Sequence, residues 1–312
     1  MATMAAKTSG VHHVALGVSD LGAMTAFYRD LLGFTEVLAE FGESEQQIMR
    51  EVTRSPRAVF SGALLRQKAG GISLELIHMA DPAPRPIRKE IRYGDIGVGK
   101  ITVAAASARS AYETLRDRVG FCSQPKTTVI PGFGEYEFVY CRDPEGNPIE
   151  IVAADEGCEG TFGGVSSVGM GVTDLERSVT FYRERLGFDV VVDTHESFSG
   201  LVDEVSGAAD TRVRSCLLSA GTPKGGMLEL FETKEPRGRS IPFSTRWGDF
   251  GYLQAAFSCD DIHGAAADME EAGMDLLCSP KAMAESIPGD PGEFVYVRDP
   301  DGIPIEFLFL PE

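Results

Sequence analysis

The sequence predicts an α+β fold of four modules, each made of one strand, one helix and three further strands. Two observations lead to this prediction. Residues 11–34 and 165–188 are identical at 12 of 24 aligned positions, at an offset of 154. Near the end of each half, residues 137–150 align with residues 293–306 at an offset of 156. Two homologous halves therefore occupy nearly the whole chain of 312 residues.

Each module is expected to begin with a short alternating strand and to continue into an amphipathic helix. In the first module the strand covers residues 11–18, and the apolar residues that follow have helical spacing up to Gly33. In the fourth module the helix is predicted over residues 261–272 and is closed by Gly273. Two or three strands complete each module.

Turn and linker composition predicts the remaining boundaries. The Asp-Pro-x-Gly segments at 143–146 and 299–302 are turn sequences, so the strands that flank them should form hairpins. The Arg-Asp pairs that include the first residue of each turn are interpreted as turn-stabilising residues. A flexible N-terminus covers 1–10, one domain covers 11–154 (modules 11–90 and 98–154), a Gly-rich acidic linker covers 155–164, and a second domain covers 165–312 (modules 165–245 and 252–312).

Composition and charge exclude several classes of protein. The chain has 43% hydrophobic and 24% charged residues, as ordinary globular proteins do. A formal net charge of −18 repels phosphate backbones and anionic lipids, which argues against nucleic-acid and membrane partners. The sequence has no apolar run of spanning length and its first residues lack a secretory signal. Six scattered cysteines are typical of reduced thiols, so we expect a cytoplasmic protein.

The repeated motifs resemble those of the vicinal oxygen chelate superfamily, which includes glyoxalase I, methylmalonyl-CoA epimerase, extradiol dioxygenases and bleomycin-resistance proteins. Both halves contain a hydrophobic-Ser/Thr-Asp-Leu segment, Phe-Tyr-Arg and Leu-Gly-Phe, followed by Arg-Asp-Pro-x-Gly-x-Pro-Ile-Glu. The resemblance covers about residues 11–310. It implies that paired βαβββ modules form two cupped, half-barrel sheets with helices on their outer faces. Each cup would surround a metal and a substrate.

Strand alternation indicates which side chains face a cup. In the first strand His13 lies on a face of small residues, whereas Val14 lies on a branched, apolar face that should pack against helices. A shift of one residue would turn His12 inward instead, and the apolar framing favours His13. Glu306 follows Ile305 in a strongly apolar strand, where a carboxylate is costly unless a partner or a metal neutralises it.

The resemblance implies one ligand on the first strand and one glutamate on the last strand of each module. In module order these positions are His13 and Glu75, Lys100 and Glu150, Ser167 and Glu229, and Gln254 and Glu306. Two pairings of the modules are open. If neighbouring modules pair, both sites are incomplete. If module one pairs with module four, one cup holds His13, Glu75, Gln254 and Glu306, as glyoxalase I sites do, and we favour this crossed pairing.

Under the crossed pairing the other cup holds Lys100, Glu150, Ser167 and Glu229, and whether it is active stays open. Lys100 is interpreted as the ion-pair partner of Glu150 rather than as a Schiff-base lysine. One intact site and one altered site are what duplication followed by divergence would produce.

The resemblance implies a metal-dependent lyase or isomerase that transfers a proton next to a carbonyl through a metal-stabilised enediolate or enolate. Glu306 is the candidate general base and Glu75 the second choice, with His13 and Gln254 holding the metal. Zn, Ni, Co, Mn and Fe(II) are all compatible with these ligands. The expected substrate is a small carbonyl or vicinal-oxygen compound, and the chain is expected to be a monomer or homodimer.

Two other functions stay open. An oxygen-using, extradiol-type dioxygenase needs two histidines and one carboxylate around iron, and neither pairing supplies two histidines at the matching positions. A metal-free binding or resistance protein would hold an aromatic or cationic compound in the cup.

Overall fold

The computed structural model describes residues 8–154, 162–194, 196, 198–221, 226–283 and 292–311. Module one contains β1 (Thr8–Gly17), α1 (Leu21–Leu32), β2 (Glu36–Glu45), a 3-10 turn (Gln47–Met49), α2 (Arg50–Thr53), β3 (Val59–Gln67) and β4 (Gly70–Asp81). Module two contains β5 (Gly97–Ala105), α3 (Ala108–Leu115), β6 (Gly120–Phe121), β7 (Lys126–Ile130), β8 (Gly134–Arg142) and β9 (Pro148–Ala153). Module three contains β10 (Phe162–Gly171), α4 (Leu175–Leu186), β11 (Asp189–Thr194), α5 (Asp203–Ser206), β12 (Arg212–Ser219) and β13 (Met227–Glu235). Module four contains β14 (Gly251–Cys259), α6 (Ile262–Glu271), β15 (Lys281–Ala282), β16 (Glu293–Arg298) and β17 (Pro304–Phe309).

Two boundaries differ from the sequence-based expectation. β1 begins at Thr8, inside the N-terminus predicted to be flexible, because the Thr8 hydroxyl donates to the Leu186 carbonyl at 2.7 Å and the strand pairs with β14. β10 begins at Phe162, inside the predicted linker. The remaining parts of both segments, residues 1–7 and 155–161, lie outside the described residues, as does Cys158.

Two of the repeated sequence motifs, Asp-Leu and Leu-Gly-Phe, lie at the start and the end of the two long helices. Asp20 and Asp174 each accept a hydrogen bond from a first-turn amide, at 2.9 and 3.0 Å, and so begin α1 and α4. Gly33 and Gly187 end these helices with φ angles of 77° and 76°, in the left-handed region that favours glycine. The Asp-Leu and Leu-Gly-Phe motifs therefore mark helix start and stop.

The strands form two sheets, each built from one module of each half. The order in the first sheet is β2-β3-β4-β1-β14-β17-β16-β15, with β1 and β14 antiparallel at its centre. The order in the second sheet is β11-β12-β13-β10-β5-β9-β8, with β6 and β7 both paired to β8. Module one thus pairs with module four, and module two with module three, which confirms the crossed arrangement. We call these sheets the first cup and the second cup.

The two faces of each sheet have different contents, as strand alternation predicts. The main core lies between the sheets and the helices and contains the branched and aromatic residues of the outer faces, such as Val14, Leu74 and Phe257. A smaller cluster inside the first cup includes Ala15 and Ile77. The inner face of the first cup therefore combines apolar side chains with the polar residues of the candidate site.

The motifs Phe-Tyr-Arg and Arg-Asp-Pro contact each other across module boundaries. Tyr28 of α1 donates a hydrogen bond to Asp143 at 3.0 Å, and Tyr182 of α4 donates to Asp299 at 3.1 Å. Each aspartate also accepts two backbone amides of its own turn. The interpretation of these aspartates as turn-stabilising residues is confirmed, and the tyrosines anchor a helix to the turn.

None of the helices in the described ranges is long and apolar enough to cross a membrane. Among the described cysteines none forms a disulfide, and Cys141, Cys216, Cys259 and Cys278 are buried.

Candidate metal centre

Four neighbouring strands bring the four predicted metal ligands to one place inside the first cup. The ligands are His13 on β1, Glu75 on β4, Gln254 on β14 and Glu306 on β17. Glu75 and Gln254 are both register partners of Ala15, one on each side of β1. His13 and Glu306 are likewise both partners of Ala256 on β14. The crossed pairing of modules is what makes these residues neighbours.

The distances between these side chains are those of direct contact. His13 Nε2 lies 3.2 Å from an oxygen of Glu306 and 3.4 Å from an oxygen of Glu75. Gln254 Nε2 donates to the same Glu306 oxygen at 3.3 Å. Only Glu75 is appreciably accessible, with 19% of its side chain exposed against 6% for Glu306.

Electrostatics distinguish His13 from its neighbour His12. Burial lowers the pKa of His13, but the carboxylates of Glu306 and Glu75 outweigh burial and raise it to about 10. Burial lowers the pKa of His12 to about 3, with help from the charges of His13 and Arg66. His13 is therefore the imidazole that faces the carboxylates, in the register that the sequence favours.

Two buried atoms in this cluster fit a metal ion. His13 Nε2 is within ion-pair distance of the carboxylates but outside hydrogen-bond geometry, and Gln254 Oε1 also has no hydrogen-bond partner among the described residues. Buried polar atoms without partners are uncommon and costly. Around an ion with bonds of about 2.0–2.2 Å, neighbouring ligand atoms are separated by roughly 3 to 3.5 Å, as the imidazole and carboxylate atoms are here.

The described residues contain no group of three or more His, Cys, Asp or Glu side chains already arranged as a metal site. In the structure the His13 imidazolium offsets one of the two carboxylate charges of Glu75 and Glu306, and a divalent cation would neutralise both. One imidazole nitrogen, one amide oxygen and two carboxylates suit such an ion.

Tyr296 is a residue of this site that the sequence analysis missed. It lies directly opposite Glu306 across β16 and β17, and its hydroxyl accepts a hydrogen bond from Gln254 Nε2 at 3.2 Å. Tyr140 lies opposite Glu150 in the same way in the second cup. Both tyrosines occupy equivalent positions in the repeated Glu-Phe-Val-Tyr segments, but this repetition alone does not distinguish a site residue from a core residue.

Comparison with known proteins identifies the family. A sequence model of the Glyoxalase/Bleomycin resistance protein/Dioxygenase superfamily matches residues 10–151 and 164–307. The chain belongs to this superfamily. The uncharacterized protein YaeR of Escherichia coli K12 is 29% identical over 147 residues, which cover 45% of this chain and 93% of YaeR.

Solved structures of the superfamily share the four-module architecture over nearly the whole chain. Glyoxalase I from Zea mays superposes with a TM-score of 0.66 at 18% identity, covering 96% of this chain and 92% of that one. A putative dioxygenase from Bacillus subtilis superposes with a TM-score of 0.58 at 16% identity, covering 99% and 87%. At these identities the likeness shows the fold.

The second cup of this superfamily member holds an ion-pair cluster at the equivalent positions. The Lys100 ammonium contacts Glu150 and lies 2.6 Å from Glu229. Glu150 also accepts hydrogen bonds from the hydroxyls of Thr102 and Tyr140, at 3.0 and 2.9 Å. Burial lowers the pKa of Lys100, but the two carboxylates outweigh it and raise the pKa. The ion pair with Glu150 is confirmed, and an amine with a raised pKa is a poor Schiff-base nucleophile and a poor metal ligand.

Ser167, the fourth predicted position of the second cup, is buried beside this cluster. It lines a cavity of about 690 Å³ together with Glu229. The structure therefore brings both predicted sets of four residues together, and the two sets differ in chemistry.

Proposed function

We propose that the protein is a metal-dependent lyase or isomerase that transfers a proton next to a carbonyl group, with its site in the first cup. The observation that supports this proposal is the convergence of His13, Glu75, Gln254 and Glu306, with the buried amide oxygen of Gln254 lacking a hydrogen-bond partner among the described residues. In a purely structural ion-pair cluster, a buried amide oxygen without a hydrogen bond would only destabilise the fold. A metal ion would give this oxygen a partner. The superfamily membership is compatible with this chemistry.

The residues of the site divide into holding and proton-transfer roles. His13, Gln254 and Glu75 would hold a divalent ion, which would act as a Lewis acid on two adjacent oxygens of the substrate. Tyr296 and Glu306 both accept hydrogen bonds from the Gln254 amide nitrogen and so help to position this side chain.

Glu306 is the proposed general base. Its strand neighbours Ile305 and Phe307 are fully buried, so the carboxylate is held rigidly and is shielded from most water. A positioned carboxylate can take a proton from the carbon next to a carbonyl and return it to an adjacent atom. Glu75 is more exposed and is the second choice for this role.

Further parts of the proposal are a small carbonyl or vicinal-oxygen substrate and a cytoplasmic location. The extradiol-type alternative is disfavoured by the residues of the first cup, because Gln254 stands where a second histidine would be needed. A metal-free binding function suits the second cup better than the first, because the Lys100 ammonium lies between its two glutamates.

The test compares Glu306→Gln with Glu150→Gln, the same change at the equivalent position of the second cup. Gln keeps the size and a ligand oxygen but removes the base, so Glu306→Gln should lower turnover roughly 100- to 10,000-fold. Turnover is measured by NMR as deuterium uptake from D2O into a panel of 2-hydroxy and 2-oxo carbonyl compounds, together with metal content. Wild-type turnover in Glu306→Gln, or its loss in Glu150→Gln alone, would refute the assignment.

A further inference from the structure

We propose that the second cup is a separate binding site for a small organic cation that carries an aromatic or alkyl group. This inference goes beyond the proposed function and does not depend on it, because it involves the other cup and needs no metal. Three features of the described residues carry it: the cavity, its charge and its aromatic wall.

The cavity has the size of a ligand site. Its volume of about 690 Å³ falls within the roughly 300–1,000 Å³ that is typical of small-molecule pockets. The lining combines polar residues such as Glu229 and Ser167 of β13 and β10 with apolar residues such as Leu217 and Val152. Small-molecule pockets typically combine an apolar lining with a few polar groups that orient the ligand.

The charges around the cavity favour a cation. The buried cluster contains two carboxyl groups, Glu150 and Glu229, but one ammonium, Lys100. Burial raises the pKa of Glu229 although the Lys100 charge opposes this, and a second cation beside Glu229 would stabilise its ionised form. Glu150 has two further hydroxyl donors, and it is Glu229 that lines the cavity. The other charged residues of the described lining are Glu135 and Glu137, and this lining contains no Lys, Arg or His.

A buried negative charge is costly unless it is paired. A cationic ligand next to Glu229 would complete the neutralisation that Lys100 begins. An anionic ligand would instead face Glu229 without a free basic partner. Because the Lys100 ammonium occupies the centre of the cluster, a second metal ion does not suit this cup.

The wall of the cavity is aromatic. The rings of Phe133 and Tyr136 have centroids 6.0 Å apart, and those of Tyr136 and Phe198 are 5.6 Å apart, so the three form one continuous surface. Aromatic faces attract cations within about 6 Å of the ring centroid. Phe133 is 52% exposed at the rim, which is unusual for a phenylalanine and fits a residue that contacts a ligand.

The experiment is calorimetric titration of the full-length protein with three probes of similar size: benzyltrimethylammonium, benzyl alcohol and benzenesulfonate. We expect benzyltrimethylammonium to bind at least about tenfold more tightly than the other two, as charge pairing and cation–π contact together predict. Glu229→Gln should weaken binding of the cation about tenfold and leave benzyl alcohol unchanged. This variant leaves a neutral Lys100–Glu150 pair, so the fold should be retained, as thermal unfolding will show.

Two further variants locate the site. Glu75→Gln is the matched control, because Glu75 is the equivalent glutamate of the first cup, and it should leave cation binding unchanged. Phe198→Leu keeps a large apolar side chain but removes one aromatic ring. It should therefore weaken binding of benzyltrimethylammonium and leave binding of benzyl alcohol unchanged. No binding of the cation, equal affinity for all three probes, indifference to Glu229→Gln, or loss on Glu75→Gln instead would each overturn the proposal.

Discussion

For single residues of the first cup, the sequence predicts which face of the sheet a side chain lies on wherever strand alternation is clear. Glu75 and Glu306 could be assigned to the inner face because both chain neighbours of each are apolar and belong to the core, and His13 could be assigned because Val14 belongs to it. Tyr296 could not be assigned in the same way, because a tyrosine in an apolar strand resembles a core residue. Its role depends on lying opposite Glu306, which is a property of strand register.

At the same scale, Asp299 should make stability depend on pH. Burial raises its pKa to about 7 from an ordinary value of 3.8, although the amides of Asp301 and Ile303 and the hydroxyl of Tyr182 oppose this. Between pH about 4 and 7 the folded state therefore holds a proton that the unfolded chain has released. The free energy of unfolding should fall as pH rises through this window and level off above it.

The variant Asp299→Asn should remove this component, since an amide does not titrate. Thermal unfolding of wild type and variant between pH 4 and 8 measures the difference in slope. Parallel pH profiles would show that Asp299 is ionised in the folded protein throughout the range.

At the scale of elements, the sequence predicts the long helices well and the short elements poorly. Asp20 and Gly33 carry explicit start and stop signals for α1, and the same residue types bound α4. The four-residue helices α2 and α5 and the two-residue strand β6 were not predicted. Elements this short bury too little surface to leave a periodic pattern in the sequence.

The packing of β10 against β5 makes a prediction at this scale. A Cβ atom at Gly169 would lie 2.6 Å from Cγ of Lys100 and 3.1 Å from the Phe231 ring. Lys100 has little freedom to move because two carboxylates hold its ammonium. Gly169→Ala should therefore lower the free energy of unfolding by about 1–3 kcal/mol.

The control for this change is Gly120→Ala in β6, where an added Cβ meets nothing within 4 Å. Denaturant unfolding measures both variants. Equal stabilities would mean that Gly169 does not provide the space that Lys100 occupies.

At the scale of the whole molecule, the duplication was visible in the sequence but the pairing of modules was not. Each half supplies two modules with compatible edges, and the motifs are the same whichever edges join. The crossed arrangement was preferred because it places Gln254 in the same cup as His13. Lys100, which is a poor metal ligand, then lies in the other cup. The structure joins β1 to β14 and β5 to β10, so each cup needs both halves.

When the two halves are separated, the central strands of each half should therefore lack their hydrogen-bonding partner strands. In residues 8–154 alone, β1 and β5 would lose their partners β14 and β10 and expose unpaired edges. We expect this half to self-associate, and to form a one-to-one complex when produced with residues 162–312. Light scattering measures both states, and a folded, monomeric half would contradict the crossed arrangement as the basis of stability.

The central claim is that the first cup holds a divalent metal and the second cup does not. The most direct test is the metal content of protein purified without chelators, for wild type, His13→Ala and Ser167→Ala. These two substitutions change equivalent positions of the two cups, so they are a matched pair. We predict one ion per chain in wild type and Ser167→Ala and little in His13→Ala. Two ions per wild-type chain, no ion in the folded wild type, or loss of the ion on Ser167→Ala would contradict the claim.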